Sequence, residues 1–479
     1  MAEWAGRRAT EIAAAVRSGE VTARAVVAEH LARIRTIDGE LGAFRAIREQ
    51  QALVEAGVVD ARADRVDLPM AGVPVAVKDN TAVAREAIRS GSAATPDKPA
   101  AADHEVVRRL RAAGAVVVGL SSMPELGLFP IGDSVYGITR NPWRLERTPG
   151  GSSAGAAVAV AAGMVPLAQG NDGLGSIRIP AACCGLVGLK PGPGVIPPPF
   201  EKDNPWFGLA EHGPLATTVA DAALLLAVMA DRPKWAQVAT PDRPLRVAVS
   251  TRAGTGLPVD RQYKMAARTA GEVLADAGHH VQTSDPPYPM TLGATVMATW
   301  CVCADDCVQQ LNWQKLNRPI RTHARVGRLT RRLGLPRPQA PERWRDRLGR
   351  FFTNVDVLIT PALAQPPPAA VRWSDRGWLR NVVASRYSVL APPWNLAGWP
   401  AAVVPAGLHR TGVPLAVQVV APPGGERLLL AVAHQLELAK PWRRIAPIYD
   451  PEHHGNNDRC VYPLHALDSN PAWHTHPGK

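Results

Sequence analysis

Apolar residues recur at helical spacing near the start of the chain, with Ile12 and Val16 inside 8–18 and Val27, Leu31 and Ile34 inside 22–36. This spacing predicts two amphipathic helices, the second opening at Thr22, whose hydroxyl suits a helix N-terminus. A third helix is expected over 40–57. From Val73 the pattern changes. Short apolar, β-branched runs at 73–77, 115–118, 165–169, 245–250, 355–360, 402–405 and 415–420 alternate with helical stretches. Strands without polar alternation are buried on both faces. The expected fold class is therefore α/β, a single large domain around a twisted, mixed or largely parallel β-sheet with helices on both faces. The domain is expected over 1–447, followed by an irregular C-terminal extension over 448–479. Within it, the helical region 290–350 breaks the rhythm and suits a cap or substrate entrance.

Composition narrows the class. Of 479 residues, 46% are hydrophobic and 20% charged, the balance of a soluble globular protein. The net charge is +12, but only nine of the 54 basic residues are lysines. An arginine excess beside abundant Ala, Gly and Pro reads as codon bias rather than attraction to nucleic acid, and no nucleic-acid partner is expected. The six cysteines are too few and too clustered for a secreted disulfide framework, so a reducing cytoplasm is the expected location. No run supplies the roughly 20 apolar residues of a bilayer span, and no membrane partner is expected. Arg7-Arg8 is followed by Glu11, Arg17 and Glu20, which leaves no apolar core for an export signal and reads as a helix.

The chemistry concentrates in 148–191. This stretch reads as a Gly-Ser loop, an alanine-rich helix thin enough to lie against a sheet, a short strand and a second Gly-Ser loop. Gly173 and Gly175 flank a turn before Ser176 where backbone N–H groups can converge, on a phosphate or on an oxyanion. Neither a G-x-x-x-x-G-K-[ST] loop nor a G-x-G-x-x-G turn after a strand supports the phosphate reading. No G-x-S-x-G elbow supports a Ser-His-Asp hydrolase. A serine nucleophile still requires a base. Lys78 ends the apolar strand GVPVAV, where burial lowers an amine's pKa. A buried lysine is more commonly ion-paired, and Asp79 is adjacent, so the residues alone leave both readings open.

Three motifs in order, GVPVAVKDN (72–80), PGGSSAG (149–155) and GSIRIPAACCGLVGLKP (175–191), resemble those of the amidase signature family. The flanking blocks HGPLATTVADAALLL (212–226), NVDVLITPAL (354–363) and NLAGWPAAVVPAG (395–407) extend the resemblance over most of the chain. It implies a Ser-cisSer-Lys triad, with Ser176 as nucleophile, Ser152 as bridging serine after a cis peptide bond, and Lys78 as ultimate base. It further implies an oxyanion hole from the N–H groups of Gly173, Leu174, Gly175 and Ser176, a supporting Ser153, and a loop braced by Asp172 and Arg178. The implied reaction is hydrolysis of a small-molecule carboxamide, linear or cyclic, through an acyl-serine, without metal or organic cofactor. Acyl transfer to an amine with the same triad, and a binding protein retaining the fold, are the alternatives. Homodimerisation is left open.

The sequence also departs from the family pattern. Leu174 stands where a glycine is usual, with Gly173 expected to absorb any positive φ. Thr217 and Ser122 replace a frequent arginine and asparagine. The run PGPGVIPPP after GLKP argues against the branch acting on charged tRNA. Elsewhere, Cys301, Cys303 and Cys307 lack partners for a metal and read as thiols of a pocket-lining helix. Cys183 and Cys184 read as packing residues, and His453, His454, His465, His474 and His476 as a loose cluster without a physiological site. Trp206, Trp300, Trp313, Trp394 and Trp399 are candidates for pocket wall or core. The arginine-rich helices at 318–350 read as a solvated amphipathic face. Docking of an acidic partner or carboxylate-bearing substrate through Arg328, Arg331 and Arg332 is the sharper alternative.

Overall fold

A computed structural model describes residues 4–199, 206–337 and 339–450. Their core is an eleven-stranded sheet. In chain order its strands are β1 (Phe44–Ile47), β2 (Pro74–Lys78), β3 (Val116–Ser121), β4 (Leu167–Asp172), β5 (Val187–Lys190), β6 (Glu211–Ala216), β7 (Arg246–Val249), β8 (His280–Thr283), β9 (Val357–Pro361), β10 (Ala401–Leu408) and β11 (Pro414–Val420). They lie in the spatial order β1-β3-β2-β4-β6-β5-β10-β11-β9-β7-β8. The sheet is mixed: β2 runs parallel to β3 and β4, and β7 parallel to β8 and β9, while the remaining pairs are antiparallel. Each of the seven expected runs overlaps a strand, and the α/β fold class stands.

Local chemistry explains the main differences. Thr22 caps the second helix as expected, its Oγ1 accepting the Ala25 N–H at 3.1 Å. That helix continues to Leu41 and ends at Gly42, which takes φ +64°. The Asp38 carboxylate then accepts the N–H groups of Ala43 and Phe44 and turns the chain into β1, an edge strand beside β3. The expected helix over 40–57 is therefore a strand followed by the helix Glu49–Ala61. Strand β6, with sequence EHGPLA, carries no β-branched residue and gave no strand signal, yet all six of its residues are buried between β4 and β5.

Two helices set the active end of the sheet. Ala154–Ala161 is buried along its whole length and packs on β4 and β2. Only glycine allows that approach at its start, since a Cβ on Gly155 would lie 2.0 Å from the Ala43 carbonyl oxygen. The short helix Arg178–Cys184, also wholly buried, follows β4 and carries Cys183 and Cys184 into the core.

The region 290–350 contributes the helices Leu292–Val308, Arg318–Arg332 and Ala340–Phe352. The first two pack closely, with Gly327 seated on the Cys301 carbonyl and Cys301 and Cys303 buried. Arg328 donates to Asp305 at 3.3 Å, and Arg331 pairs with Asp306. Arg325 and Arg328 also lie over the Trp313 ring. Two of the three arginines expected to dock an acidic partner thus pair with carboxylates of the neighbouring helix while staying about half exposed, and the third, Arg332, is exposed.

Packing runs to Tyr449, which is buried and donates its hydroxyl to Glu40 at 2.7 Å. The rest of the expected C-terminal extension, with Cys460 and the five tail histidines, lies outside the described residues. No helix among the described residues is long and apolar enough to cross a membrane.

Candidate active site

Lys78 is the last residue of β2 and is fully buried. Its backbone N–H donates to Gln169 Oε1 at 3.0 Å, and the Gln169 side chain is itself held 2.7 Å from His212 Nδ1. Its Nζ lies 2.8 Å from Ser152 Oγ, 2.7 Å from Asn171 Oδ1 and 3.4 Å from the Asn171 carbonyl. Asn171 is oriented in turn by donating to Asn80 Oδ1 at 2.8 Å. Asp79 does not pair with the lysine. Its Oδ1 accepts two hydrogen bonds from Arg45, at 2.7 and 3.0 Å. Burial pushes the Lys78 ammonium down to about 7, against an opposing pull from the Asp172 charge. Near neutral pH a substantial fraction of this amine is unprotonated.

The two serine loops meet beside the amine. The Gly151–Ser152 peptide is cis, and Ser152 is buried. The Ser153 N–H donates to the Ser176 carbonyl at 3.1 Å, which ties one loop to the other. The Ser153 hydroxyl donates to the Asn171 carbonyl at 3.3 Å.

Asp172, at the end of β4, organises the turn that carries Ser176. Its carboxylate accepts the N–H of Gly175 at 2.6 Å and of Ile177 at 3.3 Å. It also accepts two hydrogen bonds from the Arg178 guanidinium, at 2.9 and 3.1 Å. Arg178 continues to the Ala391 carbonyl, Gln418 and Asn395, at 2.9, 2.7 and 2.6 Å. Both members of the ion pair are buried. Burial alone would raise the Asp172 carboxyl, but Arg178 overrides it and holds the group well below the usual carboxylate range.

Two expectations about the turn change. The Gly175 N–H is committed to Asp172 and so does not face an oxyanion. The N–H groups of Gly173, Leu174 and Ser176 donate to no acceptor among the described residues. The positive φ falls on Gly175, at +115°, and not on Gly173. Gly173 answers a different constraint, because a Cβ there would lie 2.8 Å from the Trp206 ring. Leu174 needs no positive φ, and its side chain joins the wall of a cavity.

That cavity has a volume of about 330 Å³ and reaches Ser176, within the range usual for small-molecule sites. Its walls include Phe129, Leu174, Ile179, Trp206, Val296 and Trp300. Of the five candidate tryptophans, Trp206 and Trp300 line it. Trp394 and Trp399 are buried in a separate core cluster, and Trp313 lies beneath the arginines.

Lys78, Ser152, Ser153, Asp172, Arg178 and the 173–176 turn are thus brought together, and Leu174 and Ser176 of the turn line the cavity. The sequence reading missed Asn171, Asn80, Asn395 and Gln418. Asn80 and Asn395 stand inside the blocks KDN and NLAGWP, and Asn171 immediately precedes Asp172, so position within a motif was their one available signal.

A mixed sheet ending in a buried lysine beside two serine loops, under an apolar cavity, defines the amidase class of fold. The amidase family model matches residues 25–430, and the chain belongs to that family, the amidase signature enzymes. It is a non-peptide amide hydrolase. AmiB2 of Mycobacterium tuberculosis (strain ATCC 25618 / H37Rv), an amidase by assigned name, is 41% identical over 444 residues, covering 90% of this chain and 95% of its own. The 6-aminohexanoate-cyclic-dimer hydrolase of Paenarthrobacter ureafaciens is 33% identical over 488 residues, covering 91% and 95%. A solved structure of 6-aminohexanoate cyclic dimer hydrolase superposes with a TM-score of 0.80 at 29% identity, over 91% of this chain and 97% of the other.

Proposed function

We propose that the chain hydrolyses the C–N bond of a small-molecule carboxamide through an acyl-Ser176 intermediate, with Ser152 as proton relay and Lys78 as base. The observation that carries this reading is the Lys78–Ser152 contact of 2.8 Å in a buried site where, among the described residues, the amine has no carboxylate in hydrogen-bond reach. An amine with its pKa near 7 accepts a proton at neutral pH, as a general base must.

In the forward step Ser176 Oγ bonds to the amide carbon. Its proton passes to Ser152, and the Ser152 proton passes to neutral Lys78. The carbonyl oxygen becomes an oxyanion facing the unpaired N–H groups of Gly173, Leu174 and Ser176. The relay then runs backwards, delivering the proton to the leaving nitrogen as the C–N bond breaks. Water repeats the cycle on the acyl-serine and releases the carboxylic acid. Every proton is carried by side chains of this chain.

The test is a panel of aliphatic, aryl and cyclic amides, the cyclic diamide of 6-aminohexanoate among them because a relative is named for it. Hydrolysis by the wild type that is lost in Ser176→Ala supports the reading. Turnover that survives Ser176→Ala contradicts it.

A further inference from the structure

The cavity that reaches Ser176 is mostly apolar, and its polar lining among the described residues is Ser176, Thr255, Ser385, Arg386 and Ser388. Among its described lining residues, Arg386 is the single charged group, and Phe129, Val296, Trp206 and Trp300 supply hydrocarbon and ring surface of the same cavity. Arg386 sits on the short helical turn Ser385–Ser388 and is exposed toward solvent. It enters no ion pair with a described residue. In this it differs from Arg328 and Arg331, which are occupied by Asp305 and Asp306. The hydroxyls of Ser385 and Ser388 beside it donate inward, to the Asn381 and Ser385 carbonyls at 2.8 Å each. The Arg386 guanidinium is therefore the charged donor of the lining, and the Thr255 hydroxyl, without a partner among the described residues, a neutral one.

A guanidinium stays charged at any working pH and presents a planar fork matched to a carboxylate. We propose that the substrate is an amphipathic amide that bears a carboxylate at the end remote from the scissile bond. Its amide carbonyl lies at Ser176, its hydrocarbon segment against Trp206 and Trp300, and its carboxylate on Arg386. This proposal rests on the amide-hydrolase reading of Ser176 and adds the substrate's charge and polarity to it. An uncharged cyclic diamide lacks the group that Arg386 selects.

The carboxylate belongs either to the acyl part or to the amine part, and paired substrates separate the two. One arm compares glutaryl, adipoyl and suberoyl monoanilides with methyl-ended acyl anilides of equal length. The other compares hexanoyl amides of ω-aminocarboxylates with hexanoyl amides of the matching alkylamines. In at least one arm the carboxylate member is expected to have the higher kcat/KM, by about two- to fivefold for a charge-assisted contact at an exposed site. Arg386→Gln should collapse that ratio toward one, Arg386→Lys should retain part of it, and Arg386→Glu should reverse it. Intact-mass labelling of Ser176 by a neutral fluorophosphonate checks that each variant keeps a folded, activated site. Cleavage of the methyl-ended amides with no carboxylate preference, or a preference that persists in Arg386→Gln, overturns the anion proposal and leaves the hydrolase reading standing. Failure of wild-type protein both to cleave any member and to label Ser176 overturns both, while labelling of Ser176 without cleavage of any carboxylate member overturns the anion proposal alone.

Discussion

Lys78 and Asp79 are neighbours in sequence with separate partners. The lysine Nζ turns inward to Ser152 Oγ at 2.8 Å, while the aspartate accepts Arg45 at 2.7 Å. The strand ends at Lys78 and Asp79 opens the turn that follows, so adjacency in sequence did not produce an ion pair. The separation leaves a buried amine with a hydroxyl and an amide for company, so burial governs its protonation.

The pH profile follows. Protonated Lys78 cannot receive the relayed proton, so kcat/KM for an uncharged amide should rise with pH through about 7, where burial places this group. Stability carries the same sign. The unfolded chain keeps the lysine proton to about 10.4, so between about 7 and that value it binds more protons than the folded chain, and stability should climb with pH across the window. Lys78→Met should flatten that contribution. A pH–rate profile and urea melts at pH 6, 7.5 and 9 check both parts.

Removal of either relay residue should abolish turnover. Lys78→Ala and Ser152→Ala are each expected to lower kcat on the order of 10⁴-fold or more, as for members of a catalytic unit elsewhere, and the double variant should be little worse than either single one. Ser153→Ala removes only a bond to the Asn171 carbonyl and should cost about tenfold or less. Single-turnover rates on one aryl amide decide this.

The Asp172–Arg178 pair should be a stability element as well as a positioning one. Arg178→Met leaves the buried Asp172 carboxylate without its cation, which costs about 3–5 kcal/mol in comparable buried pairs. Urea unfolding of Arg178→Met against wild type measures the loss.

The turn residues should separate shape from strain. Gly175→Ala places a Cβ 2.6 Å from Ile179 Cδ1 and 2.7 Å from Ala391 Cβ, at φ +115°, and should be inactive. Leu174→Gly alters the cavity wall without that clash, and should lower KM for bulkier acyl groups relative to small ones. Kinetics on an acyl-chain series distinguishes the two effects.

Much of this site was legible because its chemistry is local. Each serine lies in a Gly-rich loop, and Lys78 closes an apolar run whose composition announces a buried strand. What was not legible depends on distant segments. Asn395 and Gln418 reach Arg178 from more than 200 residues away, and nothing in NLAGWP or PLAVQVV states that they converge there. Strand β6 was hidden because its burial comes from its neighbours and not from β-branched residues. The role of Gly173 was misassigned because the constraint on it is the Trp206 ring, a tertiary contact, while the positive φ moved to Gly175. The pairing of Arg328 and Arg331 with Asp305 and Asp306 was hidden for the same reason, since these groups meet only after the helices pack.

The central claim is that Lys78 activates Ser176 through Ser152. Intact mass and peptide mapping after exposure to a cavity-sized fluorophosphonate test it most directly. A single adduct on Ser176 that disappears in Lys78→Ala and Ser152→Ala is the predicted result. An adduct on another residue, or labelling of Ser176 that persists at the wild-type rate in Lys78→Ala, would contradict the account.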